Sequence, residues 1–220
     1  MLDIILKKFR EKNPTIPVFS VYDSEFLPFG RIIEGVDTTE ILEAAKSIPM
    51  PKSGSRYLPS EPSFEALPIA KEIEDKFYGT LPAQCGYCWG YNSKMDATEW
   101  HTSSEINIPT TPIILILGHL WDVKDGKIDS GSFKAFYAPR GVVLEVYGTS
   151  LHYCACQTSD EGFGCVVGLP KDTNTPLSLP VDSKFLFRRN KWIIACLDNE
   201  ALINDGVFPG ISGENYEIKY

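Results

Sequence analysis

Long apolar runs, basic runs and the common nucleotide-binding signatures are all missing from this sequence. The most apolar stretch, Ile113 to Leu117, falls far short of the roughly 20 residues that a membrane-spanning helix needs. Lys and Arg number 21 against 29 Asp and Glu, a formal net charge of -8, which disfavours capture by nucleic acid or by an anionic membrane surface. No G-x-x-x-x-G-K-[ST], no strand-linked G-x-G-x-x-G and no nucleophile elbow occurs, so nucleotide hydrolysis, dinucleotide chemistry and serine hydrolysis are set aside. Internal repeats and low-complexity tracts are absent too.

What is present is ordinary globular composition. The 220 residues are 43% hydrophobic and 23% charged, enough to bury a sizeable core in one large domain or one domain with an extension. At the N-terminus, Leu2-Asp-Ile-Ile-Leu-Lys-Lys-Phe-Arg-Glu-Lys12 interrupts its apolar residues with charge before any signal-type run can build, and reads as a short amphipathic helix. Six cysteines without a secretion signal then favour reduced thiols and a cytoplasmic protein.

Texture changes near residue 80. Residues 1–80 read as a helical arm with Pro-rich connections: Thr38 or Thr39 can cap a helix through Ile41, Leu42 and Ala45, and Leu67-Pro68 opens another that Gly79 stops. Residues 81–220 read as β, with candidate strands over Thr98–Ile108, Pro112–Trp121, Ser132–Ala138, Val142–Tyr147, Gly162–Leu169 and Lys184–Ala195, and a hairpin at Asp125-Gly126. Many short strands without intervening helices predict a sandwich, jelly roll or small barrel.

Chemistry concentrates in Glu99-Trp-His101-Thr-Ser-Ser-Glu105-Ile-Asn107. On one extended strand Glu99, His101, Glu105 and Asn107 would share a face, and burying two carboxylates and an imidazole together is most favourable around a divalent cation. A later segment starts a strand at Gly141, and Gly148 permits a turn that returns His152 toward the same place. Glu99, His101, Glu105 and His152 are therefore the candidate metal ligands, a mixed set suited to Zn, Mn, Fe, Co or Ni. Glu145, sharing a face with Val143 and Tyr147, is the candidate general base. Lys94 joins it as a candidate catalytic cation, and Lys94 and Arg140 are the groups that can hold a carboxylate or phosphate.

These residues resemble the cupin superfamily. Glu99-Trp-His101-x-x-x-Glu105 is similar to its first motif, with Glu99 where a His usually leads, and Pro139-Arg-Gly141 with His152 is similar to its second. The run Gly141-Val-Val-Leu-Glu-Val-Tyr-Gly-Thr-Ser-Leu-His152 resembles the ureidoglycolate lyase branch. The whole chain, including Gly86-Tyr-Cys-Trp-Gly-Tyr-Asn92 and Pro170-Lys-Asp-Thr-Asn-Thr-Pro176, resembles a bacterial family of similar length in the cupin clan. The resemblance implies a mainly β, double-stranded β-helix (jelly roll) with an N-terminal helical extension. It further implies a metal-dependent isomerase that moves a proton in a sugar or sugar-derived acid through an enediolate; a ureidoglycolate-lyase-like carbon lyase and a non-catalytic small-molecule binder are the alternatives. A small-molecule substrate and a homodimer are the expected partners, with neither nucleic acid nor membrane among them.

Two cysteine pairs, Cys85-Gly-Tyr-Cys88 and Cys154-Ala-Cys156, could in principle form a four-thiolate zinc site, but the single residue between the second pair is too short a spacing for its thiols to converge easily on one ion. Cys165, Cys196 and His119, in apolar surroundings, read as core residues.

Overall fold

The computed structural model describes residues 2–220. Two sheets form its centre. Six antiparallel strands run in the order Gly30–Ile32, Leu144–Val146, Glu105–Pro109, Phe163–Pro170, Ala83–Gly90 and Ser55–Leu58. Facing them are Val18–Ser20, Lys134–Ala138 and Ile113–His119, with the short strands Ser150–Leu151 and Cys156–Gln157 both paired to the last. A third sheet groups Leu186–Arg188, Lys191–Cys196, Phe208–Ser212 and Ile128–Asp129, and Ala97–Trp100 pairs with Lys191–Cys196. The result is a mainly β jelly roll with a short N-terminal helix. Among the described residues no helix is long and apolar enough to cross a membrane.

Burial explains the continuous apolar run at Ile113–His119. Its odd-numbered residues Ile113, Leu115 and Leu117 pack between the two central sheets with Phe136, Leu144, Phe163 and Cys165. Its even-numbered residues Ile114 and Ile116 face the other way, against Leu6 and Phe9 of the helix Leu2–Lys12 and Ile194 and Ile211 of the third sheet. A strand covered on both faces has no solvent side and needs no polar alternation.

On the six-stranded sheet, alternation decides which residues reach the interior. Ile106, Ile108, Tyr87, Trp89 and Val166 point outward, where the helices Thr39–Ala45, Pro62–Glu65 and Pro68–Glu72 cover them through Ile41, Phe64 and Ile69. Glu105 and Asn107 therefore point inward, along with Cys88 and Val167.

Several expectations meet their residues: Pro68 stands in the first turn of its helix, and Asp125 and Gly126 (φ +50° and +79°) form a tight turn between Lys124 and Lys127. Others change. Thr98–Ile108 is two strands in different sheets, broken at residues 101–104, and Lys184–Ala195 is two strands joined at Asn190. The helical texture of residues 1–80 conceals three strands, Val18–Ser20, Gly30–Ile32 and Ser55–Leu58, each paired with a strand beyond residue 81. The change at residues 80 and 81 is thus one of texture, while the sheets run through it.

Candidate metal centre

Glu99 and His152 are brought together by the backbone. Glu99 N donates to His152 O at 2.6 Å and His152 N donates to Glu99 O at 3.0 Å. Directly opposed residues of an antiparallel bridge point to the same side, so both side chains enter the same interior space. His101 follows the Ala97–Trp100 strand, and Glu105 begins the next, so the turn between them bends the chain back on the site. The four residues converge through that turn, and not along one strand face as the spacing suggests.

All four are buried, between 1% and 8% exposed. Glu105 Oε2 lies 3.4 Å from Nε2 of His101 and 3.4 Å from Nε2 of His152, and Glu99 Oε1 lies 3.8 Å from His101 Nε2. Ligand atoms of Glu99, His101 and His152 all fall within 4.8 Å of one another. Asn107 Nδ2 donates to Glu105 Oε1 at 2.7 Å, fixing the carboxylate plane.

The other ring nitrogens set the tautomers. His101 Nδ1 lies 2.7 Å from the carbonyl of Asn190, and His152 Nδ1 lies 3.0 Å from the carbonyl of Ser150. A carbonyl only accepts, so each Nδ1 carries the proton and each Nε2 presents either a lone pair or a second proton to the centre. Neither Nε2, nor Glu99 Oε2, makes a hydrogen bond of normal geometry, although Glu99 Oε2 forms an ion pair with Lys191 Nζ. Two orphaned imidazole nitrogens beside buried carboxylates, each ring oriented by a carbonyl, are what a divalent ion requires. The donor set fits.

Charge within the cluster is strongly linked. Burial alone would raise the Glu105 carboxyl, but His152 and His101 outweigh it and hold the group well below the usual carboxylate range. For His152, burial favours the neutral ring, yet the close carboxylate of Glu105 and the field of Glu99 prevail, pushing the imidazole up to about 9.

The cluster opens on a cavity of about 210 Å³, walled by Tyr57, Asn107, Leu115, Tyr153, Val167 and Lys191 among others. His101 lies outside that lining and forms the back of a separate, wider cleft with Trp100, Trp192 and Tyr147. Two expected residues are misplaced for chemistry here. Glu145 has the opposite phase: Leu144 and Val146 point inward, and Glu145 faces outward with its carboxylate 2.7 Å from Arg31 Nε. Lys94 is exposed and pairs through its backbone with Glu217, away from the cavity. Arg140 is also exposed, donating to the carbonyl of Thr110.

Lys191 and Asn190 are the site residues that sequence reasoning missed. Lys191 is a diagonal cross-strand neighbour of Glu99, because Ile193 is its direct partner. Asn190 sits at φ +54° in the turn between Leu186–Arg188 and Lys191–Cys196, and its Oδ1 accepts from Thr102 N and Oγ1 at 3.0 and 2.6 Å. Arg189-Asn190-Lys191 flanked by apolar strands is a turn signal that could have revealed both.

Residues 18–216 match the family described as Domain of unknown function (DUF4867). The chain belongs to that family. No curated protein matches this DUF4867 chain. Among solved structures, it is similar to a point mutant of Bacillus subtilis oxalate decarboxylase at 15% identity and a TM-score of 0.33, covering 46% of this chain and 25% of that one. An oxalate decarboxylase structure concerned with substrate binding mode and a reaction specificity switch aligns at 14% identity and a TM-score of 0.37, covering 60% of this chain and 30% of the other. The DUF4867 chain therefore spans less than a third of the solved chains it matches.

Proposed function

We propose that the protein is a metal-dependent enzyme that isomerises a sugar or sugar-derived acid within the cavity beside Glu99, His101, Glu105 and His152. The observation that carries this reading is the convergence of two Nε2 atoms on two carboxylates, with both Nδ1 atoms already committed to carbonyls. Glu99, His101 and His152 would hold the ion, with Glu105 as the fourth donor. A bound divalent ion would supply Lewis acidity toward a carbonyl and its neighbouring hydroxyl.

The chain's own residues do the remainder. Lys191 pairs with Glu99 and offers its N–H donors to a ligand oxygen at the cavity wall. Asn107 orients Glu105. With Glu145 turned outward, a carboxylate of the cluster moves the proton between adjacent carbons, and Tyr153, whose phenol burial pushes far above its usual range, serves as a hydrogen-bond donor. The small cavity selects a small substrate.

The test is elemental analysis of protein purified without chelator or nickel resin, beside a Glu99→Ala/His101→Ala variant, followed by a screen of sugars and hydroxy acids. About one equivalent of transition metal per chain, lost in the variant, with aldose–ketose interconversion lost in parallel, is the expected result. Absence of metal after reconstitution would sink the reading. The 3.4 Å contacts of Glu105 with both imidazoles favour a second one, a self-satisfied polar network in a binding protein, which predicts ligand-induced stabilisation without metal.

A further inference from the structure

The two cysteine pairs do not gather into one four-thiol site. Strand alternation sends Cys85 to the outer face beside Phe64 and Tyr87, and the irregular backbone ahead of the short strand Cys156–Gln157 leaves Cys156 in the core beneath the N-terminal helix. Their partners meet: Cys88 and Cys154 place their Sγ atoms 3.9 Å apart, both half-buried and both in the wall of the cavity. Cys165, the direct cross-strand neighbour of Cys88, lines the same wall.

Sulfurs already in van der Waals contact need only a small rotation to reach the bond length of a disulfide. We infer that Cys88 and Cys154 form a peroxide-sensitive dithiol that closes reversibly to a disulfide across the cavity wall. In the first step one sulfur, as thiolate, attacks an oxygen of hydrogen peroxide. An S–O bond forms, the O–O bond breaks, and the departing hydroxide takes up the thiol's proton as water. In the second, the other sulfur displaces the hydroxyl of the sulfenic acid: S–S forms, S–O breaks, and a second water leaves. Two thiols lose two electrons, and one peroxide becomes two waters.

The cavity selects the oxidant. Its volume of about 210 Å³ admits hydrogen peroxide readily, while the much bulkier glutathione disulfide must reach two half-buried sulfurs. The bond would tie Ala83–Gly90 of the six-stranded sheet to the segment two residues beyond His152, restraining the cavity's two walls against each other. This inference rests on the thiol geometry and stands whether or not a metal is bound.

The experiment treats the reduced full-length chain with hydrogen peroxide or with glutathione disulfide, alkylates under denaturing conditions and maps the peptides. Expected with peroxide are loss of two of the six thiols, a peptide joining Cys88 to Cys154, reversal by dithiothreitol, and a melting temperature raised by about 5 °C or more. Glutathione disulfide should react at least about tenfold more slowly, through access alone. Cys88→Ser and Cys154→Ser should each abolish the link and Cys85→Ser should keep it; if a variant fails to fold, the wild-type peptide map decides alone. A Cys88 to Cys165 link, irreversible sulfinic acid at either sulfur, or six intact thiols would overturn the inference.

Discussion

Two histidine environments in this molecule lie a short way apart in the fold and are built on opposite principles. His101 and His152 have ring centroids 5.2 Å apart and are surrounded by carboxylates. His119 instead stacks on Phe29 at 4.0 Å and on Trp121 at 4.1 Å, its Nδ1 unpartnered. Burial lowers the His119 imidazole below 6.5, whereas the anions around His152 overcome burial and raise it. The same side chain is thus held among carboxylates in one place and stacked as an aromatic plate in the other. What decides is whether a carboxylate lies within reach, and burial by itself does not.

The sharpest break of this contrast is Glu105→Ala. It strands two buried imidazoles without their shared anion, and the metal-free protein should lose about 3–5 kcal/mol by denaturant titration. A loss under 1 kcal/mol would mean that Glu105 is not the group that balances them.

Next in size is the pH dependence of the metal-free protein. His152 has a folded value near 9 against about 6.5 unfolded, so its contribution, roughly 3 kcal/mol shared with Glu105, is complete below pH 6.5 and fades as pH rises through 9. Glu105 has the opposite sign: its lowered value makes the contribution present above about pH 4.5 and lost as pH falls. Stability curves should therefore decline on both sides of a plateau, and Glu105→Gln should flatten both limbs.

Smaller again is Asn190→Gly, which keeps the left-handed turn but removes the side-chain bonds to Thr102 and Thr173. It should cost about 1–2 kcal/mol and weaken metal uptake roughly tenfold by competition with a chelating dye, because the carbonyl that orients His101 loses its anchor. Unchanged metal affinity would remove Asn190 from the support of the site. Least of all, Trp121→Ala should alter stability by under about 1 kcal/mol, since the ring is 53% exposed, yet move the His119 midpoint up toward 6.5 in a proton NMR titration.

The residues of the candidate centre were legible in the sequence, and their geometry was not. Glu99, His101, Glu105 and His152 all reach one buried cluster, although alternation along a single strand is the wrong reason: a turn and a backbone bridge between sheets do the gathering. Glu145 was misassigned because a three-residue strand, Leu144–Val146, carries too few residues to reveal its phase. Lys191 escaped because its partnership with Glu99 is diagonal across strands nearly a hundred positions apart, and no local pattern records that. The strand Ala83–Gly90 was hidden by its small residues: Gly86 packs against the backbone of Leu58 and Pro59, where any Cβ would clash. Sequence periodicity sees side chains that alternate in polarity, and this strand offers little of that.

The strand Val18–Ser20 lies parallel to Lys134–Ala138 and joins its sheet through no other strand. A ribosome must therefore deliver well over a hundred further residues before the first strand can find its neighbour. Such distant pairing makes for slow folding, and the early part of the chain spends that interval with its apolar residues uncovered. Pairing of the first strand thus waits on the middle of the chain, so a truncation after the Ile113–His119 strand should release the N-terminal segment as an aggregation-prone fragment and not as a smaller folded unit.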